Sequence, residues 1–149
     1  MENHPTNPKV IYTGTAGGGV WKSDNAGTTF RPIFDDHSQS IGVVELDPND
    51  PNNVIYVGTG EPWPRNSVSI GDGLYKSVDG GKSWKNIGFK NSERISDVIV
   101  NPDNSNEIYV GVLGALCLIV KKEVFLNLQM EERLGKIYCM LMNLLVQQT

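Results

Sequence analysis

The chain alternates short runs of β-branched and aromatic residues with clusters of Gly, Pro, Asn and Asp, and the runs recur. Asn7-Pro8-Lys9-Val10-Ile11-Tyr12-Thr13-Gly14 returns as Asn52-Asn53-Val54-Ile55-Tyr56-Val57-Gly58. It returns again as Asn104-Ser105-Asn106-Glu107-Ile108-Tyr109-Val110-Gly111. A turn precedes each copy, at His4-Pro5, Asp47-Pro48 and Asn101-Pro102. The Ile-Tyr units lie 44 and then 53 residues apart, the length of a propeller blade; a longer loop in the second copy accounts for most of the difference. Alternation between turn residues predicts strands at 10–14, 19–23, 29–34, 41–46, 54–59, 73–77, 83–89, 95–100 and 107–113. Residues 41–89 then form one complete four-stranded blade, preceded by three strands of an earlier blade and followed by two of a later one.

A second element follows each of the first two Ile-Tyr strands. Gly19-Val20-Trp21-Lys22-Ser23 leads into Asp24-Asn25-Ala26-Gly27-Thr28-Thr29-Phe30, and Gly73-Leu74-Tyr75-Lys76-Ser77 leads into Val78-Asp79-Gly80-Gly81-Lys82-Ser83-Trp84. Both fit Ser-x-Asp/Asn-x-Gly-x-Ser/Thr-aromatic, the Asp-box. Its chemistry is structural: the Asn25 or Asp79 side chain accepts backbone N–H bonds inside the turn, Gly27 or Gly81 takes positive φ, and Phe30 or Trp84 packs between sheets. Ser23 and Ser77 open the two turns. Trp21, Tyr56, Tyr75, Trp84 and Tyr109 are expected in the core.

Composition fits an all-β protein with many tight turns, since 16 glycines in 149 residues supply positive φ angles. The net charge of −4 gives no footprint for nucleic acid or an anionic membrane. Cys117 and Cys139 match neither a disulfide framework nor a metal-ligand spacing. The first residues, Met1-Glu2-Asn3-His4-Pro5, lack the basic and apolar regions of a signal peptide. No run of 18 apolar residues suggests a membrane span. As written, the product is expected to stay in the cytoplasm.

Gly-Thr-Ala-Gly-Gly-Gly-Val-Trp-Lys-Ser (14–23), Val-Gly-Thr-Gly-Glu (57–61), Asn-Ser-Val-Ser-Ile-Gly-Asp-Gly (66–73) and the two Asp-boxes together resemble the sortilin-like and BNR-repeat propellers. Bacterial members of that group are often labelled glycosyl hydrolases. The resemblance covers roughly residues 4–116. It implies a larger, secreted or exported parent that binds protein, peptide or glycan through its loop face. Nothing precedes the first Ile-Tyr strand here except a turn, and after Leu116 the pattern stops.

From Cys117 onward glycine and turn residues nearly vanish, and the third Asp-box due there is absent. A neighbouring reading frame accounts for it. With suitable synonymous codons, Glu123 through Gly135 encode GVFKSTDGGKTW one frame away, against GLYKSVDGGKSW at 73–84, with eight of twelve letters identical. The tail 117–149 is therefore read as frameshifted. The competing reading is a genuine C-terminal helix around 129–146, and a frameshifted tail rich in Leu, Met and Glu would itself have high helix propensity.

Candidate ligand-binding residues lie in the loops between the second and third strands of each blade, at Thr15–Gly18, Gly60–Asp72 and beyond Leu113, which gather on one face. In the middle loop Trp63 could stack on a sugar ring or peptide side chain while Glu61 and Arg65 fix polar groups. Alternatively, Trp63 packs under its own loop and Arg65 pairs with Glu61. No catalytic residue is assigned. Phe30-Arg31-Pro32-Ile33 has the wrong order for a sialidase arginine motif, and the other arginines are few. Asp35, Asp36, Glu61 and Asp72 are the loop carboxylates, of which Glu61 alone is a reasonable candidate for glycoside chemistry. His4 and His37 stand alone in turns. Asp50-Pro51-Asn52-Asn53 and Asp103-Asn104-Ser105-Asn106 fit Asx-turns better than calcium sites, and Gly17-Gly18-Gly19 lacks the Lys and helix of a phosphate loop.

These observations give an all-β, incomplete β-propeller of about two blades over 1–116, with a tail over 117–149 that has the option of a helix. No metal and no cofactor is implied. The leading functional expectation is a non-catalytic segment of a binding propeller; the alternative is an inactive piece of a carbohydrate-active propeller enzyme. Exposed sheet edges favour self-association.

Overall fold

In the computed structural model strand β1 (Glu2–Asn3) pairs with β2 (Ile11–Gly14), β2 with β3 (Val20–Ser23), and β3 with β4 (Arg31–Pro32). The structure describes residues 1–63 and 68–114, together with the backbone of 124–129 and 136–141. A second sheet repeats the arrangement with β5 (Ile41–Leu46), β6 (Ile55–Thr59), β7 (Leu74–Ser77) and β8 (Lys85–Gly88). A third follows with β9 (Ile95–Val100), β10 (Glu107–Val112), β11 (Val124–Gln129) and β12 (Lys136–Leu141). Every pairing is antiparallel and joins strands consecutive in sequence. The first strands of the sheets, β1, β5 and β9, lie beside one another. The sheets therefore stack face to face as three consecutive blades, each with its first strand innermost.

Burial follows from this stacking. Tyr12 and Val20 of the first blade join Phe34, Ile41, Val44, Leu46, Ile55, Val57 and Tyr75 in one apolar cluster between blades one and two. Tyr56 and Leu74 of the second blade join Ile95, Val98, Val100, Ile108 and Val110 in another, between blades two and three. The alternation of each strand thus has two apolar faces, one for each neighbouring blade. The glycine closing each Ile-Tyr-x-Gly unit permits this approach: a Cβ on Gly14 would overlap the side chain of Ile41, and one on Gly58 would collide with Ile95. Ile41 and Ile95 open the inner strands of the following blades, so the repeat contains its own joint.

Three features depart from the sequence reading. The first blade has a fourth strand where only a turn was expected, because Glu2 and Asn3 pair with Tyr12 and Ile11; two residues are too few to show alternation. The third sheet runs beyond residue 116, with β11 and β12 strands where a helix was the competing reading. There, pairing along the otherwise open flank of β10 prevails over intrinsic helix propensity. The remainder of that helical segment lies outside the described residues. Tyr109, expected in the core, is 39% exposed, whereas Tyr12 and Tyr56 are 0% and 1% exposed. All three stand at the same register, but among the described residues no blade covers the outer face of β10.

Candidate functional site

The antiparallel order sends the β2–β3 and β6–β7 loops, and the links between blades, to one end of the stack. The turns β3–β4 and β7–β8 go to the other. At the loop end, backbone bonds tie each link to the blades on both sides. Ile41 N–H donates to Thr15 O (3.0 Å) and Gly19 N–H to Gln39 O (2.9 Å), while Gly60 N–H donates to Ser40 O (2.8 Å). At the next junction Gly71 N–H donates to Glu93 O (2.7 Å) and Leu113 N–H to Arg94 O (3.0 Å). Arg94 is buried, and its Nε donates to Gly114 O (2.7 Å). Gly60, at φ +93°, lies so close to Glu93 and Arg94 that a side chain would overlap their backbone.

The middle loop hangs from this base. Fully buried Thr59 receives the N–H groups of Asp72 and Gly73 on Oγ1 (both 2.9 Å) and donates to Gly73 O (2.7 Å). Glu61 is buried at 4% exposure. Its N–H donates to Ser69 O (3.0 Å), and Ser69 N–H points back at its Oε2 (3.5 Å). The Asp72 carboxylate accepts the Tyr75 hydroxyl (2.7 Å). Burial and this hydrogen bond push the Tyr75 hydroxyl pKa upward. Behind Tyr75, Phe34 makes edge-on contacts with Tyr75 (5.1 Å) and Trp84 (5.0 Å), and His37 leans on both Phe34 and Tyr75. Trp63 takes no part in this packing: it is 78% exposed. Arg65 lies outside the described residues.

At the opposite end the two turns share one geometry. Ser77 Oγ donates to Asp79 Oδ1 (2.8 Å) and accepts Gly81 N–H (2.9 Å), while Asp79 accepts the N–H groups of Lys82 and Ser83 (both 2.9 Å) and the Ser83 hydroxyl (2.6 Å). Ser23 and Asn25 repeat this with Gly27 and Thr29. Gly27 and Gly81 have φ of +83° and +88°. The aromatic after the second turn reaches the preceding link, where Trp84 Nε1 donates to Ile33 O (2.7 Å). Phe30, at the matching position of the first blade, is 38% exposed.

The inner strands add a feature absent from the sequence reading. Glu2 and Glu45 pair with the two buried tyrosines in the same register, and Asp97 lies on the adjacent inner strand. Burial first, then the charges of Glu2 and Asp97, raise the Glu45 pKa to about 7. Among the described residues no group of three or more His, Cys, Asp or Glu is placed to hold a metal ion. No helix among them is long and apolar enough to cross a membrane.

Comparison with solved structures follows the stacked-blade geometry. A GH74 enzyme from Niastella koreensis superposes with a TM-score of 0.67 over 91% of this chain and 20% of that one, at 23% identity. The chain is a β-propeller segment. An ancestral GH74 enzyme aligns over 92% of this chain and 25% of that one, at 14% identity and a TM-score of 0.45. In sequence, two curated proteins named xyloglucanase Xgh74A, both from Acetivibrio thermocellus, are 29% identical over 105 residues. The match covers 56% of this chain and only 12% of the relative's length. No known family profile matches the segment. The likenesses are thus to a GH74 enzyme in fold and to xyloglucanases in sequence, and none of them is to a sortilin-like protein.

Proposed function

We propose that this segment belongs to a carbohydrate-active propeller and that its loop face holds a polysaccharide chain, with Trp63 as the stacking platform. The exposure of Trp63, 78% on a loop whose two ends are fixed by Gly60 and Gly71, carries the reading. An indole this exposed, next to a clamped base, offers a flat apolar surface suited to a pyranose ring. Similarity to xyloglucanases supplies the ligand class, a glucan with branched side groups. Glu61 and Asp72 then serve as struts, since their polar atoms hold Ser69, Tyr75 and Thr59.

Glycoside hydrolysis uses two carboxylates flanking the scissile bond. The two carboxylates of the middle loop, Glu61 and Asp72, hold the loop, so this reading gives the segment sugar binding and assigns hydrolysis to a longer parent. Affinity electrophoresis and calorimetry with xyloglucan test this directly. Retention is expected, with Trp63→Ala weakening it roughly tenfold and no release of reducing sugar. Unchanged retention in that variant would remove Trp63 from the site. Binding to peptides in place of glycans would restore the sortilin-like reading.

The frameshift reading of the tail is retained as part of this proposal. It is supported by the position of β11, which starts at Val124, next to the shifted-frame glycine, as β7 starts at Leu74 after Gly73. Sequencing the locus decides it: an open shifted frame encoding a third Asp-box is expected, and a closed one overturns it.

A further inference from the structure

The link between blades two and three buries a charge that the fold leaves half used. Arg94 is 7% exposed, and its Nε donates to Gly114 O (2.7 Å). Among the described residues its two terminal nitrogens make no hydrogen bond, and the ion pairs found there, Lys22 and Arg31 each with Asp24, leave it out. A guanidinium stays charged throughout the working range of a protein, and burying it without an opposite charge opposes folding. Its terminal nitrogens are not among the sealed, unpartnered atoms of the chain, so the fork keeps a path to solvent. The joint itself does not require a cation. Ser40 holds the corresponding place in the preceding link, just before the isoleucine that opens an inner strand, and it reaches the loop of its blade with a neutral hydroxyl (3.5 Å to Ser69 O).

The backbone around Arg94 is held in a costly form. Phe89 and Glu93, neither of them glycine, sit at φ +60° and +56°, and Arg94 N–H folds back on Ser92 O (2.6 Å). The Ser92 hydroxyl is buried with no hydrogen-bond partner among the described residues. Strain of this kind persists where the surroundings over-determine it, and it gathers at binding sites. The surroundings here are the base of the Trp63 loop. Gly71 N–H donates to Glu93 O (2.7 Å), and a Cβ on Gly60 would stand 2.7 Å from the Arg94 α-carbon. Trp63 follows Gly60 by three residues, a reach of at most about 11 Å. A sugar chain stacked on Trp63 therefore comes within reach of the Arg94 fork.

We propose that Arg94 is a carboxylate-binding subsite at the foot of the Trp63 loop, so that the polysaccharide held there carries acidic sugars. The inference rests on the reading that the loop face holds a polysaccharide, and it names the charge of that ligand. The planar fork presents two parallel N–H donors to the two oxygens of a carboxylate, and the sugar acid supplies the opposite charge that the fold does not. The chain as a whole carries a net charge of −4 and repels polyanions. A preference for an acidic polymer is therefore local to this site.

Calorimetry on the full chain compares three forms of one polymer: xyloglucan, xyloglucan with its primary alcohols oxidised to carboxylates, and the methyl ester of that product. The acid is expected to bind roughly tenfold more tightly than the other two, and added salt should close the gap. Arg94→Lys, which keeps the charge and loses the fork, should close it as well, with circular dichroism unchanged. Where that variant does not fold, the unaltered protein decides: the Arg94 Nε–H resonance should move on adding the acid and hold still with the ester. Equal binding of all three forms overturns the subsite and leaves the Trp63 platform standing. Failure of all three to bind removes both readings. A resonance that ignores the acid, or a gap that survives Arg94→Lys, also overturns the subsite. Inorganic phosphate binding as tightly as the acidic polymer overturns the sugar assignment in favour of a free anion.

Discussion

Ile95 rests on the α-carbon of Gly58, and a single methyl group placed between them has no room. The same relation at Gly14 and Ile41 makes it the recurring joint of the stack. Gly58→Ala should therefore destabilise the fold by about 1–3 kcal/mol, as overpacking does in close-packed interiors. Urea unfolding measures it, with the slope unchanged. Gly17, where an added Cβ meets nothing within 4 Å, is the control: its alanine variant should be neutral or more stable by up to about 1 kcal/mol.

The β3–β4 and β7–β8 turns should respond differently to acid. Hydrogen bonds from the Ser83 hydroxyl and amide, and from Ser77, depress the Asp79 pKa well below its ordinary value of 3.8. A depressed carboxylate contributes stability that is present above the unfolded-state pKa and is lost as pH falls through the folded one. Below about pH 4 the Lys82 and Ser83 amides should lose protection from hydrogen exchange. The Thr29 amide, held by the neutral Asn25 side chain, should not. Asp79→Asn should abolish the difference, and a difference that fails to grow as pH falls from about 4 toward the depressed folded pKa would count against it.

Glu45 works in the opposite direction. Its folded pKa of about 7 lies above the ordinary 4.5, so its protonated form is the one the fold favours. Stability from this group is greatest at low pH and is lost as pH rises from about 4.5 to about 7. Glu45→Gln should raise the melting temperature at pH 8 and leave it nearly unchanged at pH 4. A shift of the same size at both values would mean that the charge on Glu45 is not the cause.

Tyr56 is buried under Lys76, whose Nζ lies 5.1 Å from its ring centre. Its hydroxyl, like that of Tyr12, has no hydrogen-bond partner among the described residues. Burying an unpaired hydroxyl opposes folding. Tyr56→Phe should thus leave stability unchanged or raise it by up to about 1 kcal/mol, read from thermal unfolding. A loss beyond that would reveal a partner for the hydroxyl.

Blade identity was legible in the sequence because the repeat carries it in side chains: the Ile-Tyr-x-Gly unit and the Ser-Asx-Gly turn each place a distinctive residue where the fold needs it. What was not legible travels through backbone. The bonds from Gly60 to Ser40 and from Gly71 to Glu93 leave no residue pattern behind. Arg94, which stands in no motif, braces the third blade through Gly114. Thr59 was visible only as a letter in Val-Gly-Thr-Gly-Glu, and its hub role depends on Asp72 and Gly73 returning to it. The carboxylates Glu2, Glu45 and Asp97 come together only once the three inner strands are known to be neighbours. On the ligand side, an exposed Trp63 and a packed one read identically in sequence.

The paired backbone bonds at the links have a consequence for how such a protein changes over time. Each link is fastened to the blade behind it and the blade ahead, so the angle between blades is set without help from the loop tips. The loop that begins at Gly60 and returns at Gly71 can lengthen, shorten or exchange its side chains while its base stays fixed. Between Thr15 and Gly19 the corresponding base spans a much shorter loop. Architecture and recognition are thereby separated: the surface offered to a ligand can be rewritten one blade at a time, and the stack beneath it need not be relearned.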